Sequence, residues 1–180
     1  MLSVALVAAL FGWDGGRPGQ ASAPEPAHTV AGNPEHLPSL PAGRLAPAFD
    51  LPRLGGGPTV SSKAFAGTPL VVNFFASWCP NCIDEMRTFA VEAEAVRGRV
   101  SFVGVDLNDP DLQAAKAVVA RAAVRYPVGV DRAAGIAAAY WVVALPTTVF
   151  IDRRGRLLGE AFGAQSPGQL RAWVRRLENT

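Results

Sequence analysis

The sequence predicts an α/β fold in which a central mixed sheet is flanked by helices. An apolar run over residues 70–76 indicates a buried strand, and an amphipathic helix follows it from Pro80 to Gly98. A second apolar run, over residues 100–106, completes a strand–helix–strand unit. Such a unit places its two strands parallel through a right-handed crossover.

A short hairpin is predicted ahead of these strands, as an N-terminal extension of the domain. Residues 49–51 and 59–60 indicate two short strands, and the glycine run 55–57 supplies the turn between them. Either serine of the pair 61–62 can cap a helical turn that ends at Phe65.

A helical insertion is predicted between the parallel pair and the C-terminal elements. Residues 108–110, with the sequence Asn-Asp-Pro, start a helix that runs to about Val124. A short extended piece over 126–130 and a short helix over 132–140 complete the insertion.

The C-terminal part is predicted to be a hairpin followed by a helix. Residues 147–152 and 156–162 indicate two antiparallel strands that meet at the turn 153–155. The final helix begins at residue 165 or 166 and ends at Leu177.

We expect three parts along the chain. Residues 1–23 start with an apolar run whose length suits a secretory signal peptide or a truncated membrane anchor, although a core helix or strand is an alternative. Residues 24–45 form a linker rich in Pro and Gly, which buries too little apolar surface to fold. Residues 46–180 form the folded domain.

The composition of the 180 residues excludes several classes of protein. Since 49% of the residues are hydrophobic, the domain can form a core without disulfide support. A net charge of +2, with scattered arginines, does not indicate nucleic-acid binding. The two histidines, His28 and His36, lie in the linker, and two cysteines alone cannot complete a zinc site.

The two cysteines, Cys79 and Cys82, lie where the first central strand passes into a helix. Unpaired N–H groups and the dipole at a helix N-terminus favour a thiolate, so Cys79 is expected to be the exposed, attacking sulfur. Cys82, one turn further, is expected to be buried and to resolve the mixed disulfide. Pro80 fits the first turn of the helix. This arrangement predicts thiol–disulfide exchange.

Two non-catalytic interpretations of the pair stay open. A permanent disulfide is possible, but it closes so small a loop that it restrains the unfolded chain little. Copper(I) could bind Cys79, Cys82 and Met86 as soft ligands, although Met86 falls on the apolar face of the helix. The preferred hypothesis is a redox-active dithiol without a metal or other cofactor.

Three motifs follow one another along the domain: APAFDLP at residues 46–52, VVNFFASWCPNC at 71–82 and LPTTVFIDRRGRL at 145–157. In this order and spacing they resemble the TlpA/ResA branch of thioredoxin-like proteins, over residues 46 to about 178. The resemblance implies a thioredoxin-like fold and the activity of a thiol–disulfide oxidoreductase.

The resemblance also implies which residues contact the client protein. Pro146 is expected to be a cis proline beside the cysteines, preceded by Leu145. Trp78 and Pro80 are expected to shape the contact surface, although Trp78 could equally be an ordinary core aromatic residue.

Glu85 is the third residue for which the resemblance implies a role. It lies on the same helix face as Cys82, where burial would raise the pKa of its carboxyl group and make it a base for that thiol. A solvated glutamate is the alternative. Asn73 stands where thioredoxin has a buried aspartate, so acid–base chemistry would pass to Glu85. Arg87 replaces a proline that many relatives carry, and it predicts a straighter helix.

The resemblance implies an exported or membrane-anchored reductant of client disulfides, such as those of apocytochrome c. A membrane thiol protein would return the electrons. The alternatives are a disulfide oxidant or general exchanger, because Pro80 and Asn81 do not determine the reduction potential, and a non-enzymatic copper(I) carrier. A peroxidase would need a lone reactive cysteine in a loop rich in Pro and Thr, which this chain lacks.

Overall fold

The computed structural model of the protein describes residues 37–180. Its strands are β1 (Asp50–Leu51), β2 (Val60–Ser61), β3 (Leu70–Phe75), β4 (Ser101–Leu107), β5 (Val128–Asp131), β6 (Thr147–Ile151) and β7 (Leu157–Phe162). Its α-helices are α1 (Pro80–Ala95), α2 (Leu112–Arg121), α3 (Gly135–Ala139) and α4 (Pro167–Glu178).

Strand β3 lies in the middle of a five-stranded mixed sheet with the order β5-β4-β3-β6-β7. It pairs parallel with β4 and antiparallel with β6, and β4 pairs parallel with β5. All six residues of β3 are buried, which explains its continuous apolar run. The predicted parallel pair and the mixed sheet are therefore confirmed.

The two faces of the sheet carry separate parts of the core. Successive side chains of a strand point to opposite faces, so Val71 and Val72 pack into different clusters. Val71 joins residues of α1 and α4, including Phe89 and Leu170. Val72 joins the N-terminal segment and Tyr140 on the other side.

The N-terminal hairpin, β1 and β2, forms a separate antiparallel sheet, and Ser61 caps the 3-10 turn Ser62–Phe65 as predicted. The hairpin docks on the edge of the main sheet through a bridge between Arg53 and Gly129. A Cβ atom at Gly129 would lie 2.7 Å from Cβ of Leu51. Only glycine therefore allows this approach.

The helical insertion is present, but its helices begin later than predicted. Helix α2 begins at Leu112 rather than within 108–110, because the Asp111 carboxylate accepts N–H groups of its first turn. Helix α3 begins at Gly135 because the Asp131 carboxylate accepts the N–H groups of its first three residues.

The C-terminal hairpin and helix are confirmed. Strands β6 and β7 pair antiparallel, with an irregularity between Phe150 and Ile151. Ser166 caps α4, and its hydroxyl and the side chain of Gln169 form a capping box.

The chain packs against the domain earlier than the predicted start at residue 46. The Leu40 side chain is buried, and its backbone N–H donates to Oε1 of Glu160 at 3.2 Å. The last residues of the predicted linker, 24–45, thus belong to the folded unit, because Leu40 contributes apolar surface to the core.

The predicted signal peptide or anchor, 1–23, and the linker up to residue 36 lie outside the described residues. Across residues 37–180, we find no helix with both the length and the apolar character that crossing a membrane requires.

Candidate active site

The cysteine pair lies where β3 passes into α1. Cys79 is the N-cap residue of α1, and Pro80 occupies its first turn. The sulfur of Cys79 accepts the backbone N–H of Cys82 at 3.3 Å. Because N–H groups at a helix N-terminus stabilise negative charge, this position favours a thiolate on Cys79 after reduction.

Cys79 and Cys82 form a disulfide, with an S–S distance of 2.10 Å. Cys82 is buried, as predicted, with 1% of its surface exposed. The prediction of an exposed Cys79 is wrong for this oxidised form, because only 6% of its surface is exposed. Both sulfurs lie in a cluster of buried side chains that includes Phe75, and Leu145 packs against it.

A groove of about 410 Å³ gives access to Cys79. Its lining residues are Trp78, Cys79, Pro80, Asn81, Leu107, Val142, Val143, Ala144 and Leu145, and most of them are apolar. Two of them, Trp78 and Val143, are 59% and 55% exposed. Cys82 does not line the groove, so a client in it can reach only one of the two sulfurs.

The peptide bond between Leu145 and Pro146 is cis, as predicted. Leu145 lines the groove beside Cys79, whereas Pro146 is buried and does not line it. The carbonyl of Pro146 accepts the N–H of Gly163 at 2.9 Å. This bond ties the segment before β6 to the end of β7. The role of Pro146 in binding a client stays a prediction.

Glu85 is buried on α1, one turn after Cys82, and is not a solvated glutamate. Its Oε1 accepts the side-chain amide of Asn73 at 2.8 Å, and its Oε2 accepts the backbone N–H of Gln165 at 2.7 Å. The Asn73 amide also donates to Oγ1 of Thr148 at 3.2 Å. The Asn73 side chain of β3 and the backbone of the loop before α4 therefore hold the carboxyl group in place, and Thr148 of β6 accepts from the Asn73 amide.

The environment of Glu85 makes it a proton acceptor near neutral pH. Burial raises the pKa of its carboxyl group to about 7, and the hydrogen bonds from Gln165 and Asn73 oppose that rise in part. A carboxyl group with this pKa can both accept and release a proton near neutral pH.

Sequence reasoning missed three contacts of the site: Gln165 with Glu85, Thr148 with Asn73, and Asp109 with Ser77. The residues of each contact are distant in sequence, and no local pattern indicates that they meet. The loop between β3 and α1 is held by Asp109, whose Oδ2 accepts the N–H of Ser77 at 2.6 Å. From the sequence, Asp109 was interpreted only as part of the predicted helix start at residues 108–110.

The structure places Met86 in the same buried cluster as the cysteines, where it is 1% exposed. Within the part of the chain that the structure describes, no group of three or more His, Cys, Asp or Glu residues is placed to hold a metal ion.

Solved structures with this fold are described as thiol–disulfide exchange proteins. One, a putative Thiol:disulfide interchange protein DsbE from Chlorobium tepidum, superposes with a TM-score of 0.71 at 25% identity, covering 78% of this chain and 99% of its own. Another, a secreted disulfide oxidoreductase of Mycobacterium tuberculosis, has a TM-score of 0.65 at 27% identity, with coverages of 72% and 96%. Fold and site together define a thioredoxin-like thiol–disulfide oxidoreductase.

Sequence relatives narrow this class further. The chain is 29% identical over 136 residues to the thiol-disulfide oxidoreductase ResA of Bacillus thuringiensis, covering 75% of this chain and 78% of the relative. It is 32% identical over 127 residues to the DsbE homolog of Paracoccus denitrificans, covering 70% and 69%. Residues 42–158 match the AhpC/TSA family. The chain belongs to that family and is a ResA-like member of it.

Proposed function

We propose that this enzyme works outside the cytoplasm as a reductant of disulfides in client proteins, such as those of apocytochrome c during cytochrome c maturation. The observation that carries the proposal is the asymmetry of the site. Cys79 faces an apolar groove, whereas Cys82 is enclosed together with a buried carboxyl group. On this proposal the Cys79/Cys82 pair is the redox group, and a membrane thiol protein restores its reduced form.

In the first step, the Cys79 thiolate attacks one sulfur of a client disulfide. The client S–S bond breaks, a bond forms between Cys79 and the attacked sulfur, and the other client sulfur leaves and takes up a proton. The N-terminus of α1 stabilises the thiolate before the attack. The groove walls hold the client segment next to Cys79.

In the second step, Cys82 loses its proton to the carboxylate of Glu85 and attacks the sulfur of Cys79. The mixed disulfide breaks, the second client sulfur leaves, and the Cys79–Cys82 disulfide forms. The protein loses two electrons and the client gains them. The raised pKa of Glu85, about 7, suits this transfer.

The charges around the sulfurs support the reducing direction. A dithiol becomes a strong oxidant when its reduced form is stabilised, usually by positive charge near the thiolate. Residues 37–180, which the structure describes, contain no histidine that could supply such a charge. Glu85 supplies negative charge when it is ionised, which disfavours a thiolate at the neighbouring Cys82.

The deciding measurement is the reduction potential of the Cys79/Cys82 pair, by equilibration with glutathione or dithiothreitol. We expect a value close to that of thioredoxin, about −270 mV. A value near that of a strong periplasmic oxidant, about −120 mV, would show that the protein acts as an oxidant instead.

The location outside the cytoplasm is supported by the secreted relative of Mycobacterium tuberculosis. It can be tested in intact bacterial cells after reduction, with a thiol reagent that does not cross the inner membrane. Labelling of Cys79 in intact cells is expected. Labelling only after lysis would place the protein in the cytoplasm and remove this part of the proposal.

A further inference from the structure

A buried carboxyl group without a partner lies at the end of β4. Asp106 is fully buried, and neither of its carboxylate oxygens has a hydrogen-bond partner. It pairs in register with Phe75 of β3, directly before the segment that leads to Cys79. A buried ionised carboxylate without a donor is strongly unfavourable, so this group requires an explanation.

A second carboxyl group, that of Asp109, lies close enough to interact with Asp106. Two ionised carboxylates can only accept hydrogen bonds, so none can form between them. A single proton changes this, because a protonated carboxyl group donates to an ionised one. The missing partner of Asp106 is therefore supplied by one proton and no further side chain.

Asp109 is the member of the pair that stays ionised. Its Oδ2 accepts the N–H of Ser77 at 2.6 Å, and its Oδ1 accepts the N–H of Asp111 at 3.0 Å. Burial alone would raise the pKa of Asp109, but hydrogen bonds, first those from Ser77 and then that from Asp111, oppose it and hold the pKa below its ordinary value. A proton shared by the pair is therefore assigned to Asp106 and not to Asp109.

The charges that face Asp106 agree with this assignment. Burial and the neighbouring Asp109 raise the pKa of Asp106 to about 7, against the opposing effect of Arg132, which follows β5. The other titratable groups on the surrounding elements are engaged elsewhere: Asp111 and Asp131 cap helices, Glu85 binds Asn73 and Gln165, and Cys79 and Cys82 form the disulfide. Within the described residues, no third acidic, Cys or His ligand completes a metal site here.

We propose that Asp106 holds a proton which it donates to the ionised Asp109, and that this shared proton positions the segment Ser77–Cys79 for thiol–disulfide exchange. Asp109 links the shared proton to the position of the segment, because the same carboxylate accepts from Asp106 and from the N–H of Ser77. Loss of the proton leaves two buried carboxylates side by side, and their repulsion displaces Asp109 from Ser77. Both residues are positioning residues. The proposal applies to the exchange reaction in either direction.

The test follows the proton directly, by NMR on the oxidised protein, in which the cysteines do not titrate. The ¹³Cγ signal of Asp106 and the amide of Ser77 are recorded between pH 4 and pH 9 in the wild type and in Asp106→Asn. In the wild type, we expect the Asp106 ¹³Cγ signal and the Ser77 amide signal to change with the same inflection, near pH 7. In Asp106→Asn, whose amide donates to Asp109 at every pH, the Ser77 amide should lose that inflection and keep its low-pH position.

Exchange kinetics give the second readout. The rate at which dithiothreitol reduces the Cys79–Cys82 disulfide is compared between the wild type and Asp106→Asn at equal pH. The wild-type rate should equal that of the variant at pH 6 and fall below it by about threefold or more at pH 8.5. Glu85→Gln should keep the Ser77 inflection, and the exposed Asp84→Asn on α1 is the matched control without effect.

Three outcomes would overturn the proposal. One is an Asp106 signal that titrates at the ordinary value, about pH 4. Another is a Ser77 amide with the same pH profile in the wild type and in Asp106→Asn. The third is a saturable shift of the Ser77 amide on addition of Ca²⁺ or Mg²⁺ at pH 7, which would show that the pair holds a cation instead of a proton.

Discussion

The side-chain amide of Asn73 donates a hydrogen bond of 2.8 Å to Oε1 of Glu85, and so connects the central strand to the helix that carries the cysteines. Asn73 cannot ionise, so it orients the carboxyl group without competing for its proton. The buried carboxyl group one turn after Cys82 therefore comes from α1, and the strand supplies its support.

Removal of the Glu85 carboxyl group should slow the second step of exchange. In Glu85→Gln, the proton of Cys82 has no nearby acceptor, and we expect release of the client from the mixed disulfide to slow by about 10- to 100-fold. Single-turnover oxidation of the reduced protein by a model disulfide measures this step. Glu94→Gln, an exposed residue on the same helix, is the matched control. Equal rates in all three proteins would remove Glu85 from the mechanism.

Substitution of one cysteine or the other should differ in whether a mixed disulfide with the client accumulates. Cys82→Ser removes the resolving sulfur but keeps Cys79 at the groove, so a mixed disulfide with the client should accumulate. Cys79→Ser should give none, because Cys82 does not line the groove. Mass spectrometry of the non-reduced proteins distinguishes the variants. A mixed disulfide in Cys79→Ser would show that the buried sulfur is also attacked.

The apolar groove should contribute to client affinity. Val143→Ser replaces an exposed wall residue with a polar one, and we expect KM for a protein client to rise about three- to tenfold with kcat unchanged. Val91→Ser is the matched control, because Val91 is 52% exposed on α1 and does not line the groove. An equal effect of both substitutions would argue against the groove as the client site.

Stability of the oxidised protein should fall as the pH rises towards neutrality. Burial raises the pKa of both Glu85 and Asp106 to about 7, above the values in the unfolded chain. The folded state therefore binds more protons between about pH 4 and pH 7, and the free energy of unfolding decreases as the pH rises through this window. Each group accounts for about 3–4 kcal/mol across the whole of this window.

Urea unfolding at pH 5.5 and pH 8 measures this difference. Glu85→Gln and Asp106→Asn should each make it smaller, whereas Asp84→Asn should leave it unchanged. Asp109, whose pKa is lowered, acts in the opposite direction only at acidic pH and does not affect this interval. A larger free energy of unfolding at pH 8 in the wild type would contradict the prediction.

Docking of the N-terminal hairpin should depend on the absence of a side chain at residue 129. In Gly129→Ala the new Cβ would lie 2.7 Å from Cβ of Leu51, and we expect a loss of about 1–3 kcal/mol in the free energy of unfolding. Gly135→Ala is the control, because no atom lies within 4 Å of its added Cβ. Chemical denaturation of the two variants tests the difference, and equal stabilities would show that the hairpin adjusts without cost.

Much of the fold could be predicted because its signals are local. The apolar run of β3, the periodicity of α1 and the capping residue Ser166 each depend on neighbours within a few positions. The helix starts at Leu112 and Gly135 were placed too early. Asp111 was not recognised as the cap of α2, nor Asp131 as the carboxylate that accepts the first N–H groups of α3. Any acidic residue ahead of a helix can serve as a cap, and the sequence does not show which one does.

The sequence by itself determined the reaction class of this protein, since a cysteine pair between a strand and a helix needs only adjacent residues to form a dithiol site. Only the tertiary structure decided which carboxyl groups surround the site and what holds them in place. Gln165 meets Glu85 across 80 residues of sequence, and Asp109 meets Ser77 across 32. Such contacts arise when separate elements pack together, and packing also removes the water that sets the ordinary pKa of a carboxyl group.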